Sequence, residues 1–181
     1  MSSSEIAEEL ALEDTLVRKD FSLTGFSGKP KVGYTVTALI AHIGEVLGLN
    51  NTKDAVVVGM GNLGMALTNY PGFQEFGLRI IAAFDSDPAK IGRKLGALTV
   101  ENSASLVERV EELGVHLGII TVPAVAAQEV CDQLIEGGVI AVWNFAPTHL
   151  RIPEHVIIQN ENLAARLSGV SHQIASIVYD K

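Results

Sequence analysis

The chain has 181 residues, of which 48% are hydrophobic and 19% charged, and it carries a formal net charge of −8. That is enough apolar material for one full domain and a small appendage, and the negative balance argues against bulk binding of nucleic acid while leaving room for a local basic patch. No apolar run reaches the length of a membrane span, the segment MSSSEIAEEL lacks the basic and apolar regions of a signal peptide, and the single cysteine, Cys131, has neither a disulfide partner nor a metal-ligand neighbour at motif spacing, so a reducing cytoplasm is expected.

In chain order, Ser3 to Leu12 reads as a short helix that Ser3 or Ser4 can cap, with Ile6, Leu10 and Leu12 on its apolar side. Asp14 is a second N-cap candidate, ahead of a helix over Thr15 to Phe21. Two short helices with a tight connection form a helix-turn-helix pattern, with Arg18 and Lys19 where a recognition helix would meet DNA. The following loop, Thr24 to Val32, holds Lys29 and Lys31 and no acid, so it can serve as a phosphate-touching wing. The same spacing fits a helical hairpin packed on the core equally well. Val36 to Leu49 is a third helix, ended by Asn50 and Asn51, where a domain boundary is expected.

The stretch KDAVVVGMGNLG, Lys53 to Gly64, comes next. Ala55 to Val58 is a short β-type run, Gly59, Gly61 and Gly64 follow in G-x-G-x-x-G spacing, and Asn62 to Tyr70 opens a helix. Gly59 allows the tight turn. Gly61 removes a side chain where a pyrophosphate must approach the backbone, and Gly64 lets the helix pack close to the strand. Phosphates would sit at the helix N-terminus, where free N–H groups and the macrodipole favour negative charge. A second apolar run, Leu78 to Phe84, ends in Asp85, twenty-one residues past Gly64, about where the ribose-binding acid of an NAD site falls. A carboxylate there accepts from ribose hydroxyls and repels a 2′-phosphate. The alternative is a glycine turn that is only structural; Asp87, two residues on, could also reach a ribose, but reads more readily as a solvated turn acid before Pro88.

After Asp85 the alternation continues: a helix over Pro88 to Leu95, a strand at Leu98 to Val100, a helix over Ser103 to Leu113 closed by Gly114, a strand at Leu117 to Val122, a helix over Ala126 to Glu136, a strand at Val139 to Phe145, a last strand at Val156 to Ile158 and a terminal helix over Glu161 to Tyr179. Such alternation means a parallel sheet with helices on both faces, and ligands at the carboxyl ends of its strands. Two such ends stand out, Thr121-Val122-Pro123-Ala124 and Asn144-Phe145-Ala146-Pro147, either of which can line the nicotinamide end of a dinucleotide or simply punctuate loops. The apolar stripe of the terminal helix, Leu163, Leu167, Val170, Ile174, Ile177 and Val178, needs cover from a partner subunit or from its own sheet. Of five histidines only His149 is close in sequence to a ligand-facing strand end, and it has no carboxylate beside it. No catalytic constellation is present, which turns the nucleotide from substrate into signal.

Val17-Arg18-Lys19-Asp20-Phe21-Ser22, Gly33-Tyr34, Val58-Gly59-Met60-Gly61-Asn62-Leu63-Gly64, Ala66-Leu67, Asn69-Tyr70, Phe84-Asp85-Ser86-Asp87-Pro88, Thr121-Val122-Pro123 and Asn144-Phe145-Ala146-Pro147 follow one another over almost the whole chain. In this order they resemble the Rex redox-sensing transcriptional repressors. The resemblance implies an α/β fold: a partial winged-helix head over 1–34, a connecting helix over 35–52, a Rossmann-type doubly wound parallel sheet over 53–160 and a C-terminal, domain-swapped dimerisation helix over 161–181. It implies a non-enzymatic homodimer that binds NADH and NAD⁺, occupies operator DNA when NADH is low and is released when NADH binds. Arg18 and Lys19 match the recognition-helix motif of the DNA-contacting head, and Lys29 and Lys31 stand on the loop that would serve as its wing. Gly59, Gly61, Asn62, Leu63, Gly64 and Asp85 match the adenosine and pyrophosphate site; Thr121, Val122, Pro123, Asn144, Phe145, Ala146 and Pro147 match the nicotinamide end. Three departures stand out. The family has a further helix ahead of the first one here, Leu23-Thr24-Gly25-Phe26 replaces an aromatic-rich turn, and Asn162 stands where an aspartate coupling ligand to head is expected. The alternatives are a stand-alone NAD- or CoA-binding Rossmann domain without DNA binding and, less in keeping with the residues, a small NAD-dependent oxidoreductase.

Overall fold

The computed structural model describes residues 1–29, 32–48 and 53–179; Lys31 on the expected wing and the helix end at Leu49 to Asn51 lie outside the described residues. The chain divides into two compact units, Met1–Thr52 and Lys53–Lys181.

The first unit opens with α1 (Ser3–Leu10), capped by Ser2 and not by Ser3 or Ser4 as expected. The Ser2 hydroxyl accepts from the Glu5 N–H at 3.1 Å and the Glu5 carboxylate accepts from the Ser2 N–H at 2.6 Å, a reciprocal capping box. Ser3 is instead buried. The helix stops at Ala11, whose φ of 51° is left-handed. Helix α2 (Asp14–Leu23) follows, with Glu13 at the N-cap position making no side-chain cap. Asp14, expected as the cap, is the first helical residue and turns its carboxylate to Arg18 one turn on, where an acid gains from both the macrodipole and the (i, i+4) cation. Lys29 and Gly33 then exchange both backbone hydrogen bonds at 2.9 Å, an isolated antiparallel bridge. Helix α3 (Val36–Val46) completes the unit. Its core is small: Ile6, Ala7, Val17 and Leu39, flanked by Phe21, Phe26, Tyr34 and Ile43.

The second unit is a seven-stranded sheet in the order β3-β4-β2-β1-β5-β6-β7. Strands β1 (Lys53–Val58), β2 (Leu78–Asp85), β4 (Leu98–Asn102), β5 (Leu117–Ile120), β6 (Ala141–Asn144) and β7 (Ile157–Asn160) run parallel. The short apolar runs read from the sequence are these strands, and Val56, Val57, Ala83, Phe84, Ile119 and Ile120 are fully buried because both faces of the sheet are covered. Helices α4 (Asn62–Thr68), α5 (Gly72–Glu75), α6 (Leu106–Leu113) and α7 (Ala124–Glu136) fill the connections. The three residues Ser103–Ser105 before α6 form a 3₁₀ turn, and Gly114 ends α6 with a φ of 60°.

The expected helix over Pro88 to Leu95 is absent. Asp87 to Gly92 form turns, and β3 (Lys94–Leu95) pairs antiparallel with β4 across Gly96-Ala97. Gly92 and Gly96 adopt φ of 82° and 60°, which a continuing helix cannot contain, and Gly92 donates to the Val100 carbonyl at 2.8 Å. Helix α8 (Leu163–Tyr179) ends the chain; Asn162 caps it by accepting from the Ala165 N–H at 2.9 Å. Its described apolar side chains, Leu167, Val170, Ile174, Ile177 and Val178, are all exposed.

Candidate functional site

Strand order reverses between β1 and β5: from β1 the chain winds outward through β2, and from β5 in the other direction through β6. This is the switch point at which open parallel sheets bind ligands. A cleft of about 880 Å³ lies there, the size of a small-molecule or cofactor site. Gly59, Gly61, Asp85, Thr121, Val122, Pro123, Phe145 and Pro147 line it, so residues far apart in sequence and singled out from four different segments meet in one place.

The three glycines have distinct local reasons. Gly59 takes a φ of 100°, and a Cβ there would sit 2.8 Å from a Val122 methyl. A Cβ on Gly64 would overlap the Gly59 carbonyl oxygen, so α4 reaches the glycine turn only because residue 64 has no side chain. A Cβ on Gly61 would meet no protein atom within 4 Å, and Gly61 lies on the cleft wall. Two of the glycines therefore serve the protein's own packing, while the third keeps open space in front of the backbone. Thr121 locks the turn from the neighbouring strand: its N–H donates to the Val58 carbonyl at 2.9 Å and its hydroxyl to the Gly59 carbonyl at 2.6 Å.

Asp85 closes the far side. It is 6% exposed, and its carboxylate accepts from the Met60 N–H at 2.6 Å, the Asp87 N–H at 2.8 Å and the Lys90 ammonium at 2.9 Å. Burial by itself would raise its pKa; the Asp87 N–H, Lys90 and the Met60 N–H outweigh that and hold it below the usual carboxylate range. The group is thus a buried anion at neutral pH. A carboxylate offers about four acceptor positions, so one remains for a hydroxyl, and a second opens if Lys90 moves aside.

Asn144 and Ala146 do not face the cleft. Asn144 is fully buried; its amide nitrogen donates to Asn160 Oδ1 at 2.8 Å and to the Thr148 carbonyl at 3.0 Å, and its Oδ1 accepts from the Ala146 N–H at 2.9 Å. The Asn144 amide is spent on folding its own loop, which carries Phe145 and Pro147 to the cleft. Asn62, Leu63 and Gly64 likewise build the turn and α4 without lining the cleft. Ser86, Asp87, Lys90, Asn102, Ser103, Ala104, Glu129 and Gln133 line it as well. The rule that ligands gather at carboxyl ends of strands, applied to β4, points to Asn102 to Ala104; the wall of α7 has no such signal. Behind Phe145 lies an aromatic cluster. Trp143 is 4.9 Å from Phe145 and 5.5 Å from Phe73, which meets Tyr70 at 5.0 Å, centroid to centroid. His149, the one histidine near this end in sequence, is exposed.

In the first unit Arg18, Lys19 and Lys29 are exposed, the first two on α2 and the third at the bridge to Gly33. The Arg18 guanidinium is bound along one side by Asp14 and Ser3.

A glycine turn and a buried acid at a Rossmann switch point, with a helix-turn-helix and hairpin head on the same chain, define a nucleotide-binding transcriptional regulator. Residues 50–148 match the family described as CoA binding domain. A redox-sensing transcriptional repressor Rex from Treponema denticola is 46% identical over 165 residues, covering 91% of this chain and 79% of that protein. One from Bacteroides fragilis is 40% identical over 174 residues, covering 96% and 79%. The crystal structure of RSP in complex with β-NAD⁺ and operator DNA is similar over 97% of this chain and 81% of that one, at 31% identity and a TM-score of 0.94. That of RSP in complex with β-NADH gives 97%, 82%, 31% and 0.87. The chain belongs to the Rex family of redox-sensing transcriptional repressors; the CoA-binding domain match describes its sheet unit, whereas the Rex relatives match the head as well.

Proposed function

We propose that this chain is a dimeric cytoplasmic repressor that holds operator DNA when NADH is scarce and releases it when NADH binds. One observation carries the nucleotide half of the reading: a single cleft unites the open side of Gly61 with the buried anionic carboxylate of Asp85. The turn from Gly59 through Asn62, Leu63 and Gly64 would hold the pyrophosphate, Asp85 the adenosine ribose, and Thr121, Val122, Pro123, Phe145 and Pro147 the nicotinamide end, with Asn144 and Ala146 shaping the loop beneath. The nicotinamide supplies the redox signal, and the residues around it bind and orient. Arg18 and Lys19 on α2, with Lys29 and Lys31 of the basic loop over Thr24 to Val32, would meet DNA. The exposed apolar side chains of α8 favour a second copy of the chain as their cover. Binding of the two ligands is then reciprocal, each weakening the other by the same factor.

Calorimetric titration with NADH, NAD⁺, NADPH and CoA in parallel tests this reading. Tight NADH binding is expected, with NAD⁺ weaker and the others weaker still; CoA binding with indifference to NADH overturns it in favour of a ligase-like domain. On the DNA side, Arg18→Ala should abolish binding to operator duplex in a gel-shift assay and leave NADH affinity unchanged. Loss of both would make Arg18 a structural residue.

A further inference from the structure

Arg18 sits on α2, 62% exposed at its side chain, yet it is not a free cation. Its Nε donates to Ser3 Oγ at 2.9 Å and to Asp14 Oδ1 at 3.2 Å, and its Nη2 donates to Asp14 Oδ2. Ser3 comes from α1 and is buried, so the guanidinium is fixed from two helices and not only by its (i, i+4) neighbour. The Ser3 hydroxyl, together with the Arg18 charge, outweighs burial and keeps the Asp14 carboxyl below its usual range, so the acid stays ionised. These bonds occupy one edge of the guanidinium fork, Nε and the near side of Nη2. The other edge, Nη1 with the outer N–H of Nη2, has no partner among the described residues.

We propose that Asp14 and Ser3 are positioning residues that present Arg18 to DNA as a guanine reader instead of a phosphate contact. The inference rests on the reading of α2 as the recognition helix. Two parallel N–H groups on a fixed plane match O6 and N7 of guanine in the major groove, whereas a phosphate contact needs charge and little orientation. An acid beside DNA repels every phosphate alike, so it lowers affinity for all duplexes. It raises discrimination only by holding the arginine in the geometry one base requires. An exposed ion pair on a single helix contributes little to stability, which leaves orientation as its effect.

The experiment is a selection from a randomised duplex library with the full chain and with D14A, D14N and R18A, followed by binding of the selected duplex and of its 7-deazaguanine counterpart. The unmodified protein should select a guanine in each half-site and lose affinity when its N7 is removed. D14A should hold non-selected duplex as well as before or better, while its preference for the guanine falls roughly tenfold. D14N, which keeps an acceptor and loses the charge, should fall in between, and R18A should select no duplex at all. NADH affinity should stay unchanged in all three. Full guanine preference in D14A and D14N with tighter binding to every duplex makes Asp14 a mere competitor and overturns the proposal. Equal loss by D14A on all duplexes with full preference in D14N overturns it too. No selection by the unmodified protein overturns the DNA reading of α2 itself, together with this inference.

Discussion

The two units of the chain solve the problem of burial differently. In the sheet unit Val56, Val57, Phe84, Ile119 and Ile120 are at most 1% exposed, and helices cover the strands. Among the described residues of the head, Ile6, Ala7, Val17 and Leu39 are the buried apolar ones, while Leu10, Leu12, Leu16, Leu23, Val36, Ile40, Val46 and Leu47 are exposed. Burying a large aliphatic side chain contributes roughly 1.5–3 kcal/mol, so the sheet unit can stand on its own contacts and the head has little in reserve. A module that must fold precisely around a ligand is sealed. One that must meet another surface is left thin, which fits the low-stability end of a protein from which moving parts are drawn.

The contrast can be broken most decisively in the sheet. Phe84→Ala should cost about 3–5 kcal/mol, and hydrogen exchange should accelerate through the sheet unit while the head amides keep their rates; equal acceleration in both would mean the two fold as one. Leu39→Ala removes one of the four buried apolar side chains among the described residues of the head and should cost about 2 kcal/mol. Operator binding should then fail at ordinary temperature, with NADH affinity by calorimetry untouched. Asp85→Ala should weaken NADH binding about tenfold or more, equivalent to about 1.4 kcal/mol or above, by removing charge-assisted hydrogen bonds. Unchanged affinity would refute the ribose assignment. The smallest effect is expected at Cys131. Burial, with the charge of Asp132, pushes its thiol up to about 11, so it stays protonated and unreactive. Cys131→Ala should shift NADH affinity less than about twofold, and the native protein should resist alkylation at pH 8 until it unfolds, as expected of a redox sensor that reads a bound nucleotide and not a thiol.

Much of the sheet unit was legible because its signals are local. A four-residue apolar run, a glycine turn and an acid at the end of the next run name β1, the turn and β2 without any tertiary knowledge. The β3–β4 hairpin was not legible, since Ala89, Lys90 and Ile91 favour a helix by composition and only the glycines at 92 and 96 break it. Asn144 is hard to read for a different reason: its position at a strand end suggests ligand contact, but the direction of its amide depends on Asn160 and Thr148, which the sequence does not place beside it. Lys90 reaches the cleft from the turn ahead of that unexpected hairpin, and Asn102 from the carboxyl end of β4. In the head, Asp14 and Ser3 read as caps because each is a good cap by type; their convergence on Arg18 requires the packing of two helices.

The indole of Trp143 gives the cleft an optical signature. It is the sole tryptophan, packed at 4.9 Å against Phe145, which is itself a cleft wall. Reduced nicotinamide absorbs in the band where indole emits and the oxidised form does not. The unlabelled protein should therefore dim in the ultraviolet and brighten in the blue as NADH occupies it, and it should do neither with NAD⁺. Its own fluorescence would then report the same ratio that its DNA occupancy obeys.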